Sequence, residues 1–203
     1  MQRLPLENAQ VDYEPSFDLG ASPEELLGRL VGELEWRRES IVLWGRRYEQ
    51  PRLLAWYGDP GAAYRYSGVR HEPLPWTATL RDIRERVERR LGLPFNGVLA
   101  NYYRDQRDGM GYHSDDEPEL GERPVIASVS LGAERPFAFR SRQEPREPAW
   151  RLRLGSGSLL VMSGETQRFW RHALPKQTRP CGPRVNLTFR RIVGKVPAGA
   201  QVA

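Results

Sequence analysis

Seven residues near the end of the chain, Arg184-Val185-Asn186-Leu187-Thr188-Phe189-Arg190, constrain the fold more than any other stretch. Polar and apolar side chains alternate without a break, which is the signature of a strand with two unlike faces. Arg184, Asn186, Thr188 and Arg190 share the inward face, and Val185, Leu187 and Phe189 the outward one. A strand built this way holds two guanidiniums and two further hydrogen-bonding groups on its inner side.

The segments before it read as strand after strand from Phe95 onward. Val98 to Tyr103, Gly111 to His113, Val125 to Leu131, Pro136 to Arg140, Trp150 to Leu154, Ser158 to Met162 and Phe169 to Ala173 are short and punctuated by Gly, Pro and Asp. That pattern predicts a sandwich or jelly roll. Two amphipathic helices precede it. Ser22-Pro23-Glu24-Glu25 opens the first as an N-cap with a capping box, and Leu26, Leu27, Leu30, Val31 and Leu34 form its stripe. Trp76-Thr77-Ala78-Thr79 opens the second, with Leu80, Ile83, Val87 and Leu91 on one face and Gly92 and Pro94 ending it. The expected fold class is mostly β with flanking helices packed on one sheet. Met1 to Ala21 reads as an irregular lead, the polar stretch Ser141 to Pro148 as a mobile hairpin loop whose arginines, Arg140, Arg142 and Arg146, either sit near phosphates or keep the loop wet, and His71 as a loop residue. Val129, Phe137 and Phe139 read as core packing.

The chain has three histidines, and two of them fall into a chemical pattern. His113 and Asp115 are two residues apart and share a face on an extended backbone. With the distant His172 they make the two-histidine-one-carboxylate ligand set of a non-heme Fe(II) oxygenase, which leaves metal positions open for a co-substrate and oxygen. The arginine strand supplies the counter-charge a carboxylate co-substrate needs.

The net charge of +5 favours a polyanionic partner, and the near absence of lysine (only Lys176 and Lys195) leaves arginine to make phosphate contacts. One cysteine, Cys181, excludes an intrachain disulfide and suits a reducing, cytoplasmic setting. No apolar run is long enough to span a membrane. A monomer is expected.

From Asn101 to Arg190 the sequence resembles the AlkB family of Fe(II)/2-oxoglutarate-dependent nucleic-acid dealkylases. The matching stretches are Asn101-Tyr102-Tyr103, His113 to Glu117, Ile126 to Gly132, Gly157 to Leu160, His172 and Arg184 to Arg190. The resemblance implies a double-stranded β-helix (jelly roll) core over 95–193, an extension over 1–94 with two helices and nucleotide-recognition hairpins, and a disordered tail over 194–203, all one structural domain. It implies Fe(II) on His113, Asp115 and His172, with 2-oxoglutarate and O2 as co-substrates. Arg184 would pair with the far carboxylate of 2-oxoglutarate. Asn101, Tyr103 and Asn186 would bond around it, and Arg190 would lie near Asp115.

The same resemblance assigns a substrate. Closest is the branch that repairs duplex DNA by oxidative demethylation of 1-methyladenine and 3-methylcytosine. RNA or another substrate is the alternative, and an idle nucleic-acid-binding module a further one. Leu43-Trp44-Gly45 fits the hairpin whose aromatic residue replaces the stacking of an extruded base. Tyr66 would stack on that base opposite His113, with Tyr64 and Ser67 beside it. Arg52 matches an arginine used on DNA. Glu117 would line the lesion pocket, where a carboxylate suits a cationic methylated base.

Overall fold

The computed structural model describes the backbone of residues 1–43, 46–66 and 69–194, and the side chains of 1–40, 48–63 and 72–194. Strands β1 (Gln2–Arg3), β2 (Gln10–Glu14), β3 (Arg37–Leu43), β4 (Arg46–Gly58), β5 (Tyr64–Tyr66) and β6 (Val69–His71) precede β7 (Gly97–Tyr103) and β8 (Met110–His113). They are followed by β9 (Ile126–Gly132), β10 (Arg135–Ser141), β11 (Trp150–Leu154), β12 (Ser158–Ser163), β13 (Trp170–Leu174) and β14 (Arg184–Arg190). The helices are α1 (Pro23–Glu33), α2 (Ala78–Leu91) and the single turn α3 (Thr166–Phe169).

Eight strands form a major sheet in the order β1-β2-β12-β9-β14-β7-β4-β3, and four form a minor sheet in the order β11-β10-β13-β8. The two face each other as the jelly roll that the strand pattern predicts. Strands from both sides of residue 94 lie in the major sheet, because β4 pairs with β7. A two-stranded hairpin, β5-β6, stands apart.

Period-two alternation sorts the major sheet into two cores. Val98 and Ala100 of β7, Val129 and Leu131 of β9, and Val185, Leu187 and Phe189 of β14 pack against Leu26, Leu30, Leu80, Ile83 and Val87 of the helices. The outward face of β14 is therefore not solvated but roofed by α1 and α2. Each fully buried leucine or isoleucine there stabilises the roof by roughly 1.5–3 kcal/mol. The opposite residues, among them Leu99, Tyr103, Ile126, Leu160 and Met162, meet Phe137, Phe139 and Leu174 of the minor sheet. Polar side chains of the major sheet that share this inner face have to be satisfied between the sheets, and that is where the site forms.

Both helices start where their caps predict. Ser22 accepts from the Glu25 N–H at 3.2 Å, and Thr77 from the Leu80 N–H at 3.2 Å. The capping box is half-made, since the Glu25 carboxylate turns to Arg29 instead. Gly92 ends α2 in the left-handed region with φ 67° and its N–H on the Glu88 carbonyl.

Two expectations are corrected. The lead is not irregular: β2 pairs along β12, and β1 beyond it forms one edge of the major sheet. Its register comes from its partner, while Leu4, Leu6 and Val11 fill the inter-sheet core. His71 lies in β6 opposite Tyr64, not in a loop. Among the described residues no helix is long and apolar enough to cross a membrane.

Candidate active site

Strands of both sheets and one short helix bring the site together. β8 ends on His113, and β13 places His172 directly opposite it in the ladder. The two rings meet edge to face, 4.2 Å between centroids. Asp115 follows β8 by two residues. One potential ligand atom from each of His113, Asp115 and His172 lies within 4.8 Å of the other two. That is the spacing one small cation spans from three sides.

Each ligand is held by something else. The Nδ1 of His113 is 2.9 Å from the Gly111 carbonyl oxygen, so Nδ1 carries the proton and Nε2 keeps its lone pair. His172 is buried and its ring stacks on Phe137 at 5.5 Å. Asp115 accepts from the Arg190 guanidinium at 2.6 Å, and its N–H donates to the Gln167 side-chain oxygen at 2.9 Å. Burial alone would raise the Asp115 carboxyl, but Arg190, then His172 and His113, pull it down to about 2. Burial, reinforced by His113, lowers His172 to about 3, and burial also lowers His113. All three are therefore in the ligating form at neutral pH: two neutral imidazoles and one carboxylate.

From this cluster a narrow cavity runs between the sheets. Asn101, Tyr103, Ser128, Arg184, Asn186, Thr188 and Arg190 line its major-sheet wall, and Phe137 and Leu174 its minor-sheet wall. Arg184 stands at the end away from the histidines. It is buried, and one NH2 group donates to the Ser130 hydroxyl at 2.9 Å. Its Nε and the other guanidinium nitrogen have no hydrogen-bond partner. Burial lowers Arg184 to about 10, so it still carries its charge at pH 7. A buried cation with two unused donors calls for an anion, and a carboxylate fits the fork of a guanidinium.

The remaining expected residues are placed as follows. Asn101 is buried and accepts from the Nε of Arg52 at 2.7 Å, which leaves its NH2 group for the cavity. Tyr103 is buried with its ring 5.9 Å from the Arg184 guanidinium carbon. Asn186 lines the cavity, but its NH2 donates to the Ser128 hydroxyl and the Val129 carbonyl, and its oxygen accepts from Thr188. It braces the wall and does not offer a spare donor. Arg52 is 3% exposed and donates to Asn101. It also lines an open hollow with Gln50, Pro51, Tyr112 and His113. Glu117 is half-buried, two residues beyond Asp115. Trp44 and Ser67 lie outside the described residues, as do the side chains of Tyr64 and Tyr66.

Sequence reasoning missed four participants. Gln167, from α3, was silent because nothing local marks its contact with Asp115. Phe137 reads as core, yet it backs His172 and lines the cavity. Ser128 and Ser130 flank the apolar Val129 in β9, a period-two signal for the inner face.

A buried two-histidine-one-carboxylate cluster facing an anion-anchoring arginine inside a jelly roll defines a class: a non-heme iron site that takes a carboxylate co-substrate. Comparison with known proteins agrees. The description 2OG-Fe(II) oxygenase superfamily matches residues 20–190. The chain is 38% identical over 192 residues to "Alpha-ketoglutarate-dependent dioxygenase alkB homolog 3" of Homo sapiens, covering 91% of this chain and 66% of that protein. It is 39% identical over 201 residues to "DNA oxidative demethylase ALKBH2" of Mus musculus, covering 95% of this chain and 84% of that protein. The solved structure of OsALKBH1 shares the fold, with a TM-score of 0.56 at 17% identity over 83% of this chain and 89% of the other. The chain belongs to the 2OG-Fe(II) oxygenase superfamily and, within it, to the AlkB family. It spans just under two thirds of the length of the human homolog 3 protein. Iron(II) and 2-oxoglutarate are the groups that its ligand triad and buried Arg184 fit.

Proposed function

We propose that the chain is an Fe(II)/2-oxoglutarate-dependent dioxygenase that repairs alkylated DNA, demethylating 1-methyladenine and 3-methylcytosine. The observation that carries this reading is one cavity holding both the ligand triad and Arg184 with two unused donors. The likeness to the mouse DNA oxidative demethylase supports DNA as the substrate.

When bound, iron(II) and 2-oxoglutarate would supply oxidation of an N-methyl group by O2, one oxygen atom ending in succinate as CO2 leaves and the other on the methyl carbon, which is released as formaldehyde. The chain's own residues do the rest. His113, Asp115 and His172 would hold the metal on one side. The Arg190 guanidinium keeps Asp115 ionised, and the Gly111 carbonyl turns His113 so that Nε2 faces inward. Arg184 takes the far carboxylate of 2-oxoglutarate, and the NH2 group of Asn101 bonds along its length. The stacked faces of Phe137 and His172 exclude water from that side.

The target base enters through the hollow beside His113, lined by Arg52 and Tyr112. Glu117 reads the exocyclic amino group of the cationic methylated base, which gains from a carboxylate where a neutral base does not. Tyr64, Tyr66 and Ser67 handle the extruded base and Trp44 fills its place in the stack. The single cysteine suits a reducing, cytoplasmic setting.

The test is formaldehyde release from methylated single-stranded DNA, duplex DNA and RNA with iron, ascorbate and 2-oxoglutarate. Turnover that persists without 2-oxoglutarate, or in Asp115→Ala, overturns the reading. Trp44→Ala is expected to reduce duplex turnover far more than single-strand turnover.

A further inference from the structure

The minor sheet has a second face. Along one rung, Trp150, Phe139, His172 and His113 point inward and form the wall behind the metal ligands. Alternation then sends the adjacent residue of each strand outward: Arg151 of β11, Arg140 of β10 and Arg171 of β13. Arg140 and Arg171 are direct partners in the ladder. Arg151 is the partner of Ala138, so it is the diagonal neighbour of Arg140 on the same face, about 7–8 Å away.

Like charges directly opposite each other destabilise a sheet. Here no carboxylate among the described residues pairs with them. Arg140, Arg151 and Arg171 form no ion pair among the described residues, although neighbouring arginines do: Arg142 with Asp116 and Arg153 with Glu134. Arg151 and Arg171 are exposed, and Arg140 is half-buried with its Nε unbonded. The Arg140 guanidinium lies over the ring of Tyr112, 4.4 Å from its centroid. Tyr112 belongs to the edge strand β8 and also lines the hollow that leads to His113. The arginine face and the entrance are thus one continuous surface, joined at Tyr112.

We infer that this outer face is a track for the phosphate backbone of the nucleic-acid strand that carries the target base, extending the footprint beyond the entrance. The inference rests on the proposed nucleic-acid substrate and adds where the strand runs. Guanidiniums suit the track because each forks onto a phosphate, and Tyr112 under Arg140 offers a flat platform to a base as the strand rounds β8. The track lies one sheet thickness from the metal ligands, so it changes affinity without touching the reacting atoms.

The experiment uses the full chain and two labelled single-stranded oligonucleotides, a 16-mer and a 4-mer each centred on 1-methyladenine. Binding is read by fluorescence anisotropy between 50 and 200 mM salt, and turnover by formaldehyde release. Arg151→Gln/Arg171→Gln is compared with the wild type, and Arg151→Glu alone is the second variant, since Arg151 lies on an edge strand remote from the ligands. The double variant is expected to bind the 16-mer about tenfold more weakly, with a salt slope lower by about 1.4, roughly 0.7 per lost phosphate contact. Binding and turnover of the 4-mer should not change. An unchanged 16-mer affinity and slope, or an equal loss on the 4-mer, overturns the track. A wild-type chain that binds neither oligonucleotide overturns the nucleic-acid substrate itself, and the track with it.

Discussion

Replacing Arg184 with Met gives two opposite outcomes that only a ligand-anchoring arginine produces. In the free chain Arg184 is a buried cation with one hydrogen bond, to Ser130, and two nitrogens without partners. Replacing an unsatisfied buried charge with an apolar side chain of similar length is neutral or stabilising by about 1–4 kcal/mol. The loss appears only when 2-oxoglutarate binds. Two charge-assisted hydrogen bonds of about 1.5–3 kcal/mol each disappear, and the carboxylate is left buried without a partner. At 1.4 kcal/mol per tenfold, the affinity for 2-oxoglutarate falls by roughly 10²–10⁴. Thermal unfolding of Mn(II)-loaded protein with and without 2-oxoglutarate measures both effects. The wild type should gain in Tm on adding the co-substrate. Arg184→Met should match or exceed the wild type without it and gain nothing with it. A variant that is less stable than the wild type by more than about 2 kcal/mol, yet still gains in Tm, would make Arg184 a structural cation and refute the reasoning.

Other expectations follow from the same contacts. Gln167→Leu leaves the Asp115 N–H without an acceptor in a buried place. It should cost about 1–3 kcal/mol in stability and roughly 10–100-fold in iron affinity, read by metal titration, with Gln167→Glu recovering part of the affinity. Acid should destabilise the iron-free chain from about pH 6.5 downward. His172 stays neutral to about 3 when folded and takes a proton near 6.5 when unfolded, so the unfolded state binds more protons in between. That linkage removes about 2 kcal/mol between pH 6.5 and 5, and Asp115, held to about 2, adds its own loss below pH 4. Urea titrations at several pH values check it; a flat profile from pH 7 to 5 contradicts the burial of His172. Gly132→Ala should cost more than about 2 kcal/mol. Gly132 has φ +91°, and a Cβ there would meet the Pro183 carbonyl oxygen at 2.4 Å, just before Arg184. Thermal melts and 2-oxoglutarate affinity should fall together.

Local pattern exposed the residues whose neighbours along the chain reveal them. The alternation in β14 gave both its faces, and the two-residue spacing of His113 and Asp115 gave their shared side. What local pattern could not give is where a side chain ends up relative to distant segments. The contact of Arg52 with Asn101 was not legible, because nothing around Arg52 says that β4 pairs with β7. Gln167 lies in a single helical turn with no periodicity of its own. The lead became β2 because β12 offered it a ladder, a partner more than a hundred residues away. The spare donors of Arg184 are likewise a property of the assembled cavity.

The buried arginines show why one of them, and not another, marks the co-substrate. Arg135 is fully buried, but the Asp105, Asp108 and Pro175 carbonyl oxygens accept from it, so backbone dipoles offset its charge and it ties two loops together. Arg190 faces the Asp115 carboxylate at 2.6 Å, so its charge is offset before any ligand arrives. Arg52 donates to Asn101. Arg184 has a hydroxyl where the others have carbonyls, a carboxylate or an amide, and a hydroxyl dipole does not balance a full charge at low dielectric. The shortfall is directed into the cavity, at the end farthest from the metal ligands, and it persists because the strand that creates it is anchored on its other face by Val185, Leu187 and Phe189. A chain optimised for stability alone would fill that position with an apolar residue. An arginine here makes sense only if an anion completes it, and the distance to the triad then selects an anion long enough to reach both.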